Sequence, residues 1–200
     1  MGHSTPHPPT GQWFTSSEGT RWWFDSGSVS LDFAYTGAMG DNPASDALHT
    51  PDDLAAWLEE RFGGADGVVG DGDLRDARAL RSAVARAVAS AAKGTTPAPD
   101  DVDVINLFAA TPDIPPALVG GSRQAGGSRV RTGQALSTMA REAVALLSAA
   151  DEGRYRECAA DDCALIFHDE SRSNNRRWCS MLRCGNRAKV RTHRARKATA

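Results

Sequence analysis

Four cysteines in the last quarter of the chain form two pairs with the same spacing. Cys158 and Cys163 bracket four residues, Cys179 and Cys184 bracket another four, and fifteen residues separate the pairs. Two such turns can bring four thiolate sulfurs around one tetrahedral Zn²⁺. The spacing therefore predicts one structural zinc ion held by Cys158, Cys163, Cys179 and Cys184.

Other uses of these cysteines fit the sequence less well. Disulfides belong mainly to oxidising compartments, and the first residues lack the pattern of a secretory signal, so we expect a cytoplasmic protein with reduced cysteines. A catalytic zinc keeps an open coordination position, which four cysteine ligands do not leave. The sequence also shows no Gly-rich phosphate loop and no second metal-ligand cluster. We therefore predict that the protein is not an enzyme.

The charges around the cysteines agree with a metal site. Four thiolates on one Zn²⁺ carry a formal charge of about −2, because each thiolate contributes one negative charge. Arg177, Arg183 and Arg187 lie beside the predicted ligands and can offset that charge. A helix that begins near Gly185 would also point its positive end at Cys184.

The basic residues of the chain are concentrated near its C-terminal end. The 200 residues include 23 basic and 25 acidic ones, and ten of the basic but none of the acidic residues follow Glu170. A segment that serves only solubility is expected to mix both signs. An acid-free segment instead favours a polyanionic partner, which an acidic body would repel. The charge pattern therefore predicts contact with nucleic acid.

A short helix is predicted to present much of this charge. Residues 186–197 suit about three helical turns, on which Arg187, Arg191 and Arg194 share one stripe. Such a helix, held at its start by a metal, can contact DNA phosphates and enter a major groove. RNA fits the charge, but the aromatic-rich signature of common RNA-binding modules is absent. The predicted DNA contacts are Arg172, Arg176, Arg177, Arg187, Lys189, Arg191 and Arg194.

The upstream sequence predicts an α+β domain that positions this module. Two strand-like runs, Arg21–Asp25 and Ser28–Tyr35, are predicted to form a hairpin that turns at Ser26 and Gly27. Four helices are predicted, with residues 112–132 forming two short strands or an extended loop. Three of the predicted helices span about 51–63, 74–93 and 134–150, and the fourth follows a turn at 95–101 and ends near residue 110.

This pattern divides the chain into three parts. We expect residues 1–11 to be disordered, residues 12–150 to form the α+β domain, and residues 151–200 to form a small metal-dependent module. The last part has too few large apolar residues to fold by burial alone. Early aromatic residues suit either the core or the wall of an apolar ligand pocket. They are Trp13, Trp22, Trp23 and Phe24.

The stretches WCSMLRCGNRAKVRTHR and IFHDESRSNNRRW closely resemble the signature of the CGNR-type zinc finger. Upstream, GSVSLDFAYT and TPDDLAAWLEERFG are similar to the ABATE domain that precedes this finger in a family of bacterial stress-induced transcription regulators. The residues that carry the finger resemblance are Cys158, Cys163, Arg172, Arg176, Arg177, Trp178, Cys179, Met181, Cys184, Gly185, Asn186, Arg187 and Lys189.

The resemblance implies a DNA-binding transcription regulator. Its fold would combine an α+β domain, which senses a small-molecule ligand, with a treble-clef-like zinc finger that has four cysteine ligands and ends in a basic helix. A single finger has a small footprint on DNA, so we expect a homodimer, with no role at a membrane. The alternative is a zinc-stabilised interaction module that docks an acidic protein partner.

Overall fold

The computed structural model describes residues 8–15, 19–39, 46–63, 67–115, 130–148 and 154–198. Within these ranges the fold is α+β, as predicted, with six α-helices and two sheets of two antiparallel strands. A five-residue π-helical turn, Met181–Gly185, precedes the last helix. The strands and helices, in chain order, are β1 (Gln12–Thr15), β2 (Arg21–Phe24), α1 (Val29–Ala34), α2 (Pro51–Phe62), α3 (Asp71–Ala92), α4 (Pro99–Ala109), α5 (Thr132–Ser148), β3 (Tyr155–Glu157), β4 (Ile166–His168) and α6 (Asn186–Ala198).

The second helix begins and ends at the residues that the sequence predicts. The Thr50 hydroxyl accepts a hydrogen bond from the Asp53 amide at 3.2 Å, and the Asp53 carboxylate accepts one from the Thr50 amide at 2.8 Å. This reciprocal cap satisfies donors that the first helical turn leaves open, and Pro51 occupies the first position without needing one. Gly63 ends the helix in the left-handed conformation, with φ of 73°.

Helices α3, α4 and α5 are also confirmed, and they pack against one another around a shared core. The predicted core stripe of α3, Leu80, Val84 and Val88, is fully buried. Of the predicted loop at 112–132, residues 116–129 lie outside the described ranges, as do residues 149 and 150 at the predicted end of α5. None of the helices in the described ranges combines the length and apolarity needed to cross a membrane.

The predicted hairpin at Ser26 and Gly27 is wrong. Strand β2 pairs instead with β1, and residues 29–34 form the helix α1. The Ser28 hydroxyl caps this helix by accepting from the Leu31 amide at 3.1 Å. The apolar residues of this segment alternate with polar ones, which is typical of a half-buried strand. Every residue of α1 is buried, however, so the alternation does not distinguish a strand from a helix here.

The described part of the N-terminal segment, residues 8–11, is hydrogen-bonded to the α+β body. The Arg61 guanidinium donates to the carbonyls of Pro9 and Gly11, each at 2.8 Å. The Gly11 amide donates to the buried Asp32 carboxylate at 2.6 Å. Burial raises the pKa of Asp32 to about 6. Of the segment predicted to be disordered, residues 1–7 lie outside the described ranges.

The early aromatic residues divide between the core and the surface. Trp22 and Phe24 are buried, whereas Trp13 and Trp23 lie on the outer face of the β1–β2 pair with 59% and 44% of their surface exposed. Their alternation along the strands places every second ring in the core. The core interpretation therefore holds for the inward-facing pair.

The buried core runs without interruption from the N-terminal body into the C-terminal module. The Tyr35 hydroxyl accepts from the Ile166 amide at 2.7 Å and donates to the Ile166 carbonyl at 2.9 Å. The His168 amide donates to the Ser26 carbonyl at 2.8 Å. Strand β4 is therefore held along the body by backbone and side-chain hydrogen bonds, and the two parts share one core.

Candidate metal centre and basic helix

The first cysteine turn, residues 158–163, joins the strands β3 and β4. The Cys158 amide donates to the Leu165 carbonyl at 2.8 Å, which extends the pairing of the two strands by one step. The Cys163 amide donates back to the Ala160 carbonyl at 2.9 Å, which closes the turn. Both sulfurs are thereby placed on the same side of a short hairpin.

The second cysteine turn, residues 179–184, ends in the π-helical turn that leads into α6. The Ala159 amide donates to the Arg177 carbonyl at 2.8 Å and fastens the second segment to the first turn. The Cys179 amide donates to the Cys158 sulfur at 3.3 Å, which brings the two turns together. Cys184 lies close to the first residue of α6, so a metal at this sulfur fixes the start of the helix.

The four predicted ligands meet at one point. All four Sγ atoms lie within 4.8 Å of one another, and no disulfide joins them. The Cys163–Cys179 and Cys179–Cys184 sulfur separations are 3.7 and 3.5 Å. A tetrahedral Zn²⁺ with Zn–S bonds near 2.3 Å requires sulfurs about 3.8 Å apart. The cluster therefore fits one structural zinc ion, which would complete its coordination with these thiolates and hold the two turns together.

The close approach of the sulfurs couples the ionisation of the cysteines. Hydrogen bonds from the Cys163 and Cys179 thiols lower the pKa of Cys158 to about 2. In the opposite direction, the hydrogen bond to Cys158 raises the pKa of Cys163 to about 12, and a similar bond raises that of Cys179. Crowded thiolates repel one another, so full deprotonation of such a cluster requires a cation among the sulfurs.

One arginine supports the cluster from α6. The Arg187 guanidinium donates to the Cys184 sulfur at 3.2 Å and to the Asp162 carboxylate at 2.8 Å. The sulfur raises the pKa of Arg187, so the side chain stays cationic beside the thiolate. Arg187 therefore balances part of the negative charge that four thiolates leave on one Zn²⁺, as its position next to a ligand predicts.

Two other arginines near the cysteines contact the body instead. The Arg176 guanidinium donates to the carbonyls of Asp25 and Cys179, each at 2.7 Å, and lies 4.1 Å from the centre of the Phe167 ring. The Arg183 guanidinium lies 3.5 Å from the centre of the Trp22 ring. Arg183 was expected to offset thiolate charge, but this contact directs it towards the body. Arg176, a predicted DNA contact, is used to join the two parts of the molecule.

The predicted stripe on α6 has acidic neighbours. Arg187 and Arg191 both approach the first cysteine turn, where Arg191 lies 3.6 Å from the Asp161 carboxylate and 3.4 Å from that of Asp162. Arg194 is exposed and has no ion-pair partner among the described residues. The stripe is therefore partly neutralised by the acidic pair in the CAADDC sequence.

The remaining predicted DNA contacts lie at the surface. Arg172 and Lys189 are exposed, and the exposed Arg177 guanidinium lies 5.2 Å from the centre of the Trp178 ring. Trp178 is half-buried and packs beside the second cysteine turn, as expected. The contribution of these cations to DNA binding stays a prediction.

Two features that organise this site were not predicted from the sequence. Asp161 and Asp162 were interpreted only as part of a cysteine spacing, although an acidic pair opposite an arginine stripe is a signal for ion pairing. Tyr35 lies 131 residues from Ile166, and no local pattern predicts a hydrogen bond across that distance.

Comparison with known families agrees with the geometry. The ABATE family model, described as "Putative stress-induced transcription regulator", matches residues 27–150. The CGNR zinc finger model matches residues 154–197 and contains the whole cysteine cluster. A comparison with curated proteins found no match. The two matching families are regulator and zinc-finger types, not enzyme families.

Proposed function

This chain belongs to the ABATE family and carries a CGNR zinc finger, and we propose that it regulates transcription by binding double-stranded DNA through α6. The single observation that carries this proposal is the exposed cationic surface of α6 beside the cysteine cluster. Every side chain from Lys189 to Lys197 is exposed, and α6 contains no acidic residue. Such a surface has little to gain from packing against a core.

The dimensions of α6 suit this role. Its 13 residues give a rod about 20 Å long. A B-DNA major groove about 12 Å wide admits a helix of this kind. The cysteine cluster lies at the start of α6, and the side chains from Lys189 to Lys197 are exposed, so this length of the helix is accessible to a partner. A dimer would double the number of phosphate contacts and extend the footprint.

The body would supply the regulatory input. Its contacts with the finger pass through Tyr35 to β4 and through Trp22 to Arg183, directly beside the second cysteine turn. A ligand that shifts α1 or β2 would therefore alter the position of the turn that starts α6. This supports a sensing role for the ABATE part, with a small molecule as the signal.

The proposal is tested by titrating the zinc-loaded full chain against a mixed-sequence DNA duplex of about 20 bp over a range of salt concentrations. Binding to phosphates releases counterions, so the affinity should fall steeply and linearly on a logarithmic salt scale. This term does not depend on sequence, so an unknown operator does not prevent the measurement. Absence of binding at about 50 mM salt would contradict the proposal, and nuclease-resistant capture of an acidic protein would then favour the interaction module.

A further inference from the structure

The helix α6 has a second cationic face, opposite the Arg187–Arg191 stripe. Residues at positions 185, 188, 189, 192, 193 and 196 follow the i, i+3, i+4 spacing of a single helical face. Together with Arg177 and Trp178 they line an open groove of about 400 Å³ beside the second cysteine turn. The basic side chains that line this groove are Lys189, His193 and Arg196 from α6 and Arg177 from the segment before the second cysteine turn.

The two faces differ in their acidic neighbours. On the stripe side, Asp162 pairs with both Arg187 and Arg191, and Asp161 pairs with Arg191. Among the described residues that line the groove there is no aspartate or glutamate. The carboxylates that pair with Arg187 and Arg191 lie on the stripe side of α6, so a polyanion would approach the helix from the groove side.

The shape of the groove also selects its ligand. Ala188 and Gly185 contribute small residues to the lining of the groove, and Trp178 also lines it. The Arg177 guanidinium lies over that ring, and Gly185 is another close neighbour of the ring. A base that stacked on this ring would have to displace the guanidinium. A smooth chain of phosphates and sugars fits this groove better than an unpaired base.

We propose that this groove, and not the Arg187–Arg191 stripe, holds the sugar–phosphate backbone of one DNA strand. Lys189 and Arg196 bind phosphates from α6, and Arg177 binds from the opposite rim. The inference rests on the proposed DNA binding and specifies its contact surface. It leaves Arg187 to support Cys184, and Arg191 to join α6 to the first cysteine turn.

The test compares two double variants that each remove two positive charges from α6. Lys189→Ala with Arg196→Ala removes two positive charges from the groove face. Arg191→Ala with Arg194→Ala is the matched control, which removes two from the stripe. Both are titrated in the full zinc-loaded chain against the same DNA duplex, with zinc content and far-UV circular dichroism checked first. A single-stranded DNA and an RNA duplex of equal length are measured in parallel.

The groove variant should lose about two units of the logarithmic salt slope and roughly 60-fold in affinity at about 0.1 M salt, since each phosphate contact contributes about 0.9 log unit per decade of salt. The stripe variant should stay within about threefold of wild type. Equal losses, or a loss confined to the stripe variant, would overturn the groove while leaving DNA binding intact, as would a preference for RNA. Failure of the wild-type chain to bind any duplex would instead overturn the proposed function.

Discussion

The N-terminal body and the C-terminal finger are held together by different forces. The body buries large apolar side chains between α1, α3 and α5, and its helices α1 and α2 have side-chain caps at their starts. The finger has two three-residue strands, a cluster of four sulfurs and one largely exposed helix. Burial therefore stabilises the body, whereas the finger depends on metal coordination and on its attachment to the body.

Within the finger, arginine side chains make three different kinds of contact. Arg176 and Arg183 bind the body, Arg187 supports a cysteine sulfur, and Arg177 stands at the rim of a groove. Sequence position alone does not separate these uses, because each of these arginines lies close to a cysteine in the chain. Their partners decide which of them can reach DNA.

The largest effect is expected from loss of the zinc, which should unfold the finger but leave the body folded. Cys179→Ser removes a central ligand, so the chain should lose its zinc, and structural zinc contributes about 10–16 kcal/mol to folding in small fingers. Hydrogen exchange should then become fast in residues 154–198 but remain slow in the core of α3. Loss of protection in both regions together would show that the body has no stability of its own.

A smaller effect is expected at the boundary between the two parts. Gly27 has φ of +83°, and a Cβ added there would collide with the His168 carbonyl oxygen. Gly27→Ala should therefore lower the free energy of unfolding by about 3 kcal/mol or more, since a left-handed residue and a displaced strand both cost energy. Chemical denaturation measures this change.

Gly63→Ala is the matched control for this prediction. Gly63 has a similar φ of +73°, but nothing among the described residues lies within 4 Å of the added Cβ. This variant should cost only about 1 kcal/mol, which reflects the backbone conformation alone. If both alanines cost the same, the close approach of β4 to the body does not contribute to stability.

The next prediction concerns the hydrogen bonds that hold β4. Tyr35→Phe leaves the Ile166 amide and carbonyl without their buried partner, which should cost about 2 kcal/mol. Tyr155→Phe removes a hydroxyl that makes no hydrogen bond to the described residues, so it should change stability by less than about 0.5 kcal/mol. Thermal and denaturant unfolding give both values. A neutral Tyr35→Phe would contradict the tight coupling of finger and body.

The smallest effect concerns the acidic pair. Asp161→Asn with Asp162→Asn removes exposed partners of Arg187 and Arg191, and such surface pairs contribute at most about 1 kcal/mol. Zinc content should stay at one per chain, and affinity for duplex DNA should rise about two- to fivefold because two negative charges leave the vicinity of α6. Weaker DNA binding in this variant would mean that the two aspartates position α6 for contact.

Local signals in the sequence predicted most of the helices and the four-cysteine cluster. The Thr50–Asp53 cap, the spacing of Leu80, Val84 and Val88, and the paired cysteines each act over a few residues, where sequence order and spatial order agree. The helix α1 was misassigned because it is buried on every side, so its apolar residues lack the periodicity that distinguishes a helix from a strand.

The contacts between the two parts could not be predicted in this way. Arg176 meets Asp25 across 151 positions, and Tyr35 meets Ile166 across 131. Such pairs depend on how complete elements pack, which a single sequence does not specify. The same limit explains why the ion pairs of the α6 stripe were not predicted. Helical spacing placed Arg187 and Arg191 on one face but did not reveal the aspartates opposite them.

The most direct test of the account is to measure the affinity of the full chain for a DNA duplex as a function of its zinc content. A chelator removes the metal in steps, and added Zn²⁺ restores it. We predict that affinity and zinc occupancy fall and recover together, with full binding at one zinc per chain. Unchanged DNA binding by the zinc-free chain would contradict the claim that the cysteine centre presents α6 to DNA.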